Sequence, residues 1–309
     1  MTDTTRQFLD YPTKNAFRHK LPSDEARESL AHMIIIPERG VAAYLYPAVL
    51  GNGQAKAVAS ALGGPFDEQI FEVSEAQMSP EMGFEDWRVG NLHMQVLEPF
   101  KRVVLKWDGD RIKVDGEFEA FHPPYGFSTH PDGNPPYYGD DRTEQHGRFR
   151  GKLTLDGDTF DYDGLMVRDH SWGPRIWGVN QHYKWVHATT GEESMHFFEM
   201  HAFGRVTMQG FLFKDGKMAH LEKVEPTYSF DENMLQKDFR VTVTDTEGRQ
   251  ASIAYDIYRF LISAYDPKTV INTGYATLEF DGKPGVGICE FNWNRDYFDY
   301  VKEYAEEYG

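Results

Sequence analysis

The feature that most constrains this chain is its punctuation: Asp-Gly pairs at 108–109, 115–116, 132–133, 156–157, 163–164, 215–216 and 281–282, set between short runs rich in β-branched and aromatic residues. Asp and Gly tolerate the positive φ of two-residue turns, so each pair reads as a tight reversal. Strong helix signals are sparse, and strands joined by such turns run antiparallel. The runs form two series. Val41–Leu50, Gln69–Ser74, Leu92–Leu97, Arg102–Trp107, Phe118–His122, Gly147–Leu155 and Thr159–Asp169 come first. Tyr183–Ala188, Met195–Ala202, Val206–Phe213, Phe239–Asp245, Ala251–Leu261, Tyr275–Phe280 and Gly287–Trp293 follow. Two series of this length suit two barrels or sandwiches in a mainly β chain, with the join near Gly173–Gln181 and domains at 1–175 and 176–309.

Two stretches depart from this pattern. Ser23, Asp24 and Glu25 form an acidic, capping start that predicts a short N-terminal helix within Leu21–Met33, running to Ala31. Phe298, Val301, Tyr304 and Ala305 recur at helical spacing and predict a closing helix over Arg295–Tyr308. The segment His122–Gln145 is long for a hairpin loop; its Tyr125, Phe127, Tyr137 and Tyr138 suit a lid over an apolar ligand, or an inert surface loop.

With 32 basic against 49 acidic residues the formal charge is −17, which would repel nucleic acid and anionic lipid. The partner is expected to be a neutral or apolar small molecule, with no nucleic acid. Aromatics at 15% give enough burial potential for packed cores. Cys289 is the single cysteine, so no internal disulfide and no thiolate zinc site is expected. No basic, apolar leader opens the chain and no run approaches the roughly 18 apolar residues of a membrane span. A soluble, cytoplasmic protein without an integral membrane segment is therefore expected, and a homodimer is compatible with this reading.

The nucleotide-binding glycine motifs, the Gly-x-Ser-x-Gly elbow and the His-Glu-x-x-His pair are all missing from the sequence. Acid–base chemistry in a cavity remains, without a cofactor. The densest unusual string is Gly164–Arg175, GLMVRDHSWGPR. On a strand, alternation puts Arg168, His170 and Trp172 on one face and Val167 and Asp169 on the other. The plainer alternative is a corner in which Asp169 pairs with an arginine, His170 bonds a backbone carbonyl and Trp172 plugs a barrel end. A second string, Met195–His201, puts Phe197, Glu199 and His201 on one face and His196, Phe198 and Met200 on the other. A carboxyl among aromatics is desolvated and can stay protonated, ready to act as an acid. The alternative is a solvated glutamate, or one paired with Arg168, Arg175 or Arg205. His182, His187, His196 and His201 raise the question of a metal, but alternation separates His196 from His201 and no compact ligand motif is present, so none is expected. Trp177, Tyr183 and Trp185 read as core or cavity wall.

The Arg168-Asp169-His170-Ser171-Trp172-Gly173 string between two β-rich halves resembles the carotenoid 1,2-hydratase (hydroxyneurosporene synthase) superfamily, with kievitone hydratase, AttH-like proteins and some fungal Diels–Alderases. The resemblance implies two lipocalin-like antiparallel β-barrels meeting at an apolar cavity. It also implies catalytic roles for a His-x-Trp pair, here His170 and Trp172, and for a Tyr-x-Asp pair, here Phe197 and Glu199, so the acid survives and the phenol is lost. The expected activity is a cofactor-independent lyase that hydrates or dehydrates a C=C bond of a terpenoid-, steroid- or prenyl-like substrate, through a proton from Glu199 or Asp169. Trp172 and Phe197 would face the cation, and His170 the water. Arg168, Trp177, Tyr125, Tyr138 and His201 complete the expected substrate contacts. Isomerisation or cyclisation of a similar skeleton, and apolar-ligand binding without turnover, are the alternatives.

Overall fold

The computed structural model describes residues 5–79, 81–263 and 266–309, in two compact units, Met1–Arg175 and Ile176–Gly309. Each is an antiparallel barrel, so the chain is mainly β with two barrels in succession, as the turn pattern predicts.

In the first unit eleven strands follow in order: β1 (Arg27–Ile36), β2 (Val41–Leu50), β3 (Gln54–Gly63), β4 (Phe66–Gln77), β5 (Trp87–Val89), β6 (Leu92–Glu98), β7 (Arg102–Asp108), β8 (Ile112–Ala120), β9 (Tyr125–Gly126), β10 (Asp141–Leu155) and β11 (Asp158–Gly173). Their sheet order is β4-β3-β2-β1-β11-β10-β8-β7-β6-β5, with β9 beside β10. The sheet curls round one core, in which Leu30, Ile34, Trp87, Trp107, Phe118, Phe149 and Met166 are buried. No backbone ladder joins β4 to β5. Side chains of β4 reach across instead: Ser74 Oγ accepts from the Asn91 amide, just beyond β5, at 3.0 Å, and Glu72 accepts from Trp107 Nε1 of β7 and from the Arg111 amide in the turn after it at 2.7 and 2.6 Å. Gly90 fits this closure because its φ is +54° and a Cβ there would lie 2.6 Å from the Ser74 side chain.

The second unit is a closed barrel of β12 (His182–Thr189), β13 (Ser194–Ala202), β14 (Arg205–Lys214), β15 (Lys217–Phe230), β16 (Gln236–Asp245), β17 (Gln250–Ser263), β18 (Thr269–Phe280) and β19 (Lys283–Asn294). Its core gathers Val186, Met195, Phe197, Phe239, Tyr255, Phe280 and Phe291. Two helices follow, Arg295–Lys302, capped by Asn294 accepting from the Tyr297 amide at 3.2 Å, and Ala305–Tyr308. They occupy the segment expected to be one closing helix, with a break at Glu303–Tyr304. Among the described residues no helix is long and apolar enough to cross a membrane.

One expected helix is absent. Residues 27–36, which overlap that expected helix, form the central strand β1, buried on both faces. The Ile34–Ile36 run favours a strand, and the cap residue Ser23 closes a turn, its Oγ accepting from the Ala26 amide at 3.2 Å. The short helix nearest the N-terminus lies instead at Arg6–Leu9. Two Asp-Gly pairs, at 115–116 and 163–164, sit inside strands rather than turns. The segment after β8 is a packed structure carrying β9 and a 3-10 turn at Phe127–Thr129.

Candidate functional site

Within the first barrel, apolar side chains give way to polar ones along β1, β10 and β11. Met166 belongs to the core, and alternation carries Arg168, His170 and Trp172 onto the same inward face. Leu30 and Ile34 do the same for Glu28 and His32. Register then opposes Trp172 to Glu28, His170 to Leu30 and Arg168 to His32 on one side, and Arg168 to Gln145 on the other. The expected grouping of Arg168, His170 and Trp172 on one face, opposite Val167 and Asp169, is the one observed.

At the centre is Glu28, fully buried. Its Oε1 lies 2.8 Å from His170 Nε2 and 2.7 Å from His19 Nδ1, and its Oε2 accepts from the His19 amide at 2.9 Å. Burial raises the Glu28 pKa, but the bonds and charges of the two imidazoles outweigh it and hold the carboxyl below its ordinary value. An ionised carboxylate only accepts, so His170 carries its proton on Nε2. Burial also outweighs Glu28's pull on His170, whose pKa lies below the usual imidazole value. The ring is thus neutral near pH 7 with a lone pair on Nδ1, a buried atom that has no hydrogen-bond partner. His19 stacks on Trp172 at 3.8 Å and 9°, and Phe84 meets His170 edge-on at 5.5 Å. The plainer alternative, His170 bonded to a backbone carbonyl, gives way to this carboxylate.

Arg168 is buried and protonated, although desolvation lowers its pKa to about 10 against the pull of Asp169. Its Nη1 donates to Gln145 Oε1 at 3.3 Å, while Nε and Nη2 have no partner. Leaving such donors unmet costs about 1–3 kcal/mol each. His32 opposite is kept neutral by burial first and by the Arg168 charge second.

Asp169 is turned to the other face, where it forms an ion pair with Arg142 and accepts from the Ala31 amide at 3.2 Å. Arg142 Nε also lies 2.9 Å from Glu144 Oε1. Asp169 therefore braces two neighbouring strands and stands apart from His170 and Trp172.

The second barrel carries Phe197, Glu199 and His201 on one inward face, as alternation predicts, with Phe197 in the core. The expected neutral glutamic acid is corrected here. Lys184, directly across the ladder, forms an ion pair with Glu199, and His201 Nε2 lies 2.8 Å from Glu199 Oε1. Burial pushes the Glu199 pKa up, but the Lys184 charge and the two hydrogen bonds bring it below the ordinary value. Lys184, rather than Arg168, Arg175 or Arg205, is its partner, and its ammonium sits 5.4 Å from the Tyr228 ring centre and 5.8 Å from that of Phe291. His182 lies opposite His201, whereas His187 stacks on His196 at 4.1 Å on the other face, the expected separation of the histidines.

Tyr125 and Phe127 are fully buried, with Tyr125 5.7 Å from Phe8 and 5.3 Å from Phe127 between ring centres. That is packing, not the posture of an open lid. Tyr138 is buried under the Arg175 guanidinium at 4.3 Å, Tyr137 is half-buried, and Trp177 is half-buried in the link before β12. A compact ligand set that the sequence reading missed lies in the first barrel: His19, Glu28 and His170, whose donor atoms lie within 4.8 Å of one another. Both imidazole nitrogens stand at hydrogen-bond distance from one oxygen. Tetrahedral coordination by a zinc-like ion would spread such pairs to roughly 3.3 Å, so the arrangement is that of a hydrogen-bonded triad. A clue to Glu28 was available: read as a strand, RESLAHMIII puts one acid and one histidine on the face of Leu30 and Ile34.

Comparison with solved structures shows the same fold in a candidate AttH from Nitrosomonas europaea (TM-score 0.68, 11% identity, covering 93% of this chain and 97% of that one). CghA is similar (TM-score 0.61, 14% identity, 87% and 88% covered), as is kievitone hydratase from Nectria haematococca (0.56, 12%, 89% and 90%). At these identities the likeness is one of fold. No curated protein sequence matches the chain. A family model described as "Domain of unknown function (DUF7064)" matches residues 12–295, and on that span the chain belongs to the DUF7064 family.

Proposed function

We propose that this protein is a hydratase or dehydratase, working without a cofactor, that adds water to or removes it from a C=C bond of an apolar molecule of terpenoid, steroid or prenylated-aromatic type. The shared fold with kievitone hydratase supports the reading. The observation that carries it is the buried Glu28–His170 pair, which fixes the ring through Nε2 and leaves Nδ1 unpartnered. In the hydration direction His170 Nδ1 takes a proton from water as its oxygen bonds to one alkene carbon, the π pair shifts to the neighbouring carbon, Glu28 stabilises the imidazolium, and that carbon takes the proton back from the ring. Trp172 and Phe84 give the ring an aromatic surround that favours apolar substrates.

Isomerisation or cyclisation is the second reading. It is favoured by the ion pairs of Asp169 with Arg142 and of Glu199 with Lys184, which leave neither acid free to protonate an isolated alkene. Incubation with candidate alkenes in oxygen-18 water tests both. Label in the product, abolished by His170→Ala in a protein with an unchanged melting curve, supports hydration. An unlabelled isomer supports the second reading, and unchanged bound ligand a carrier.

A further inference from the structure

Arg142 and Arg168 are both buried guanidiniums of the first barrel, and they differ in company. Arg142 meets two carboxylates, whereas Arg168 has one amide oxygen, and its neighbour Asp169 is engaged with Arg142 on the opposite face. The two unpartnered nitrogens of Arg168, Nε and Nη2, share one edge of the guanidinium, where the N–H bonds run nearly parallel. A buried, charged edge of this kind fits an oxygen acceptor that the chain does not itself supply. His170, two residues along the same strand face, sits roughly 7 Å away along the backbone, with its own unpartnered nitrogen.

We propose that the substrate's double bond is conjugated to a carbonyl or carboxyl group whose oxygen docks on the Nε–Nη2 edge of Arg168, beside His170. This names the substrate class of the hydratase reading and rests on it. Water attacks the β-carbon while His170 Nδ1 takes its proton. The π electrons move onto the carbonyl oxygen, where the Arg168 charge stabilises the enolate. The α-carbon then recovers the proton from His170, so that one water has added across the bond and nothing is oxidised or reduced. No strong carboxylic acid is needed, which suits a molecule whose Asp169 and Glu199 are held in ion pairs. The net charge of −17 disfavours anions in general, so affinity for a carboxylate must come from a local cation.

Geranic acid, citral and geraniol test this on one skeleton, since the first two carry a conjugated and an isolated double bond in the same molecule. Binding is read by tryptophan fluorescence or calorimetry, with wild type and Arg168→Met. Geranic acid or citral should bind at least tenfold more tightly than geraniol, and Arg168→Met should erase the difference while melting at the same or a higher temperature. Equal affinity for all three, or a preference that survives Arg168→Met, overturns the proposal. Turnover in oxygen-18 water separates it from the reading beneath it. Label at the conjugated position supports both, and label at the isolated bond overturns the conjugated class while hydration stands. Arg168-dependent binding without label keeps the docking site and removes the hydratase.

Discussion

Glu28 has almost no access to water, and three N–H donors around its two oxygens make it tolerable there. Glu28→Gln keeps the size and removes the charge, so those donors lose a strong acceptor. Unfolding in urea should show a loss of about 3 kcal/mol, within the range for hydrogen bonds to a charged group. Turnover, once a substrate is in hand, should fall by two orders of magnitude or more, because the imidazolium loses its counter-charge. In the second barrel Lys184→Met should cost about 3 kcal/mol by leaving Glu199 without its cation, and Lys184→Met with Glu199→Gln should recover most of it in the same assay. His170 and Trp172 were legible because simple alternation places them. Glu28 and His19 were not: one lay in a stretch with a helix-like cap, the other in a loop where only the fold brings it back.

Among the elements, the Asp-Gly turns at 156–157, 215–216 and 281–282 adopt positive φ at both residues, the mirror-image geometry that suits twisted hairpins. Gly157→Ala and Gly282→Ala, each with open space around the added Cβ, should cost about 1–2 kcal/mol from backbone strain alone. Gly173→Ala should cost more, since at φ +111° its Cβ would also lie 2.3 Å from the Asp140 amide nitrogen. Thermal melts of the three variants check the order. Strands built of β-branched and aromatic residues could be read from the sequence. The alanine-rich β3 and the charged β15, interrupted by Pro226, could not, because pairing with neighbours sets them rather than their own propensity. The helix expected from the Ser23 cap through Ala31 failed in the same way, its local cap outweighed by the sheet around it.

For the molecule as a whole, several buried histidines are held neutral. Burial brings the His122 pKa to about 4 and lowers those of His32, His170 and His182 below the usual value. A depressed folded-state pKa contributes stability that is complete above pH 6.5 and is lost as pH falls through the folded value. His122 alone accounts for on the order of 3 kcal/mol by pH 4. Urea melts should therefore show stability falling steadily from pH 7 to pH 4, with His122→Asn flattening the slope. The two-barrel plan was visible in the two runs of strands, whereas the way each barrel completes its circle was not. In the first, backbone pairing stops between β4 and β5, where the Ser74 side chain holds the turn after β5 and Glu72 reaches on to Trp107 of β7. A hoop fastened at one place by a clasp rather than by continuous weave opens at the clasp first. Amide hydrogens flanking β4 and β5 should accordingly exchange with deuterium well before those of β12–β19, a difference that exchange read peptide by peptide would show.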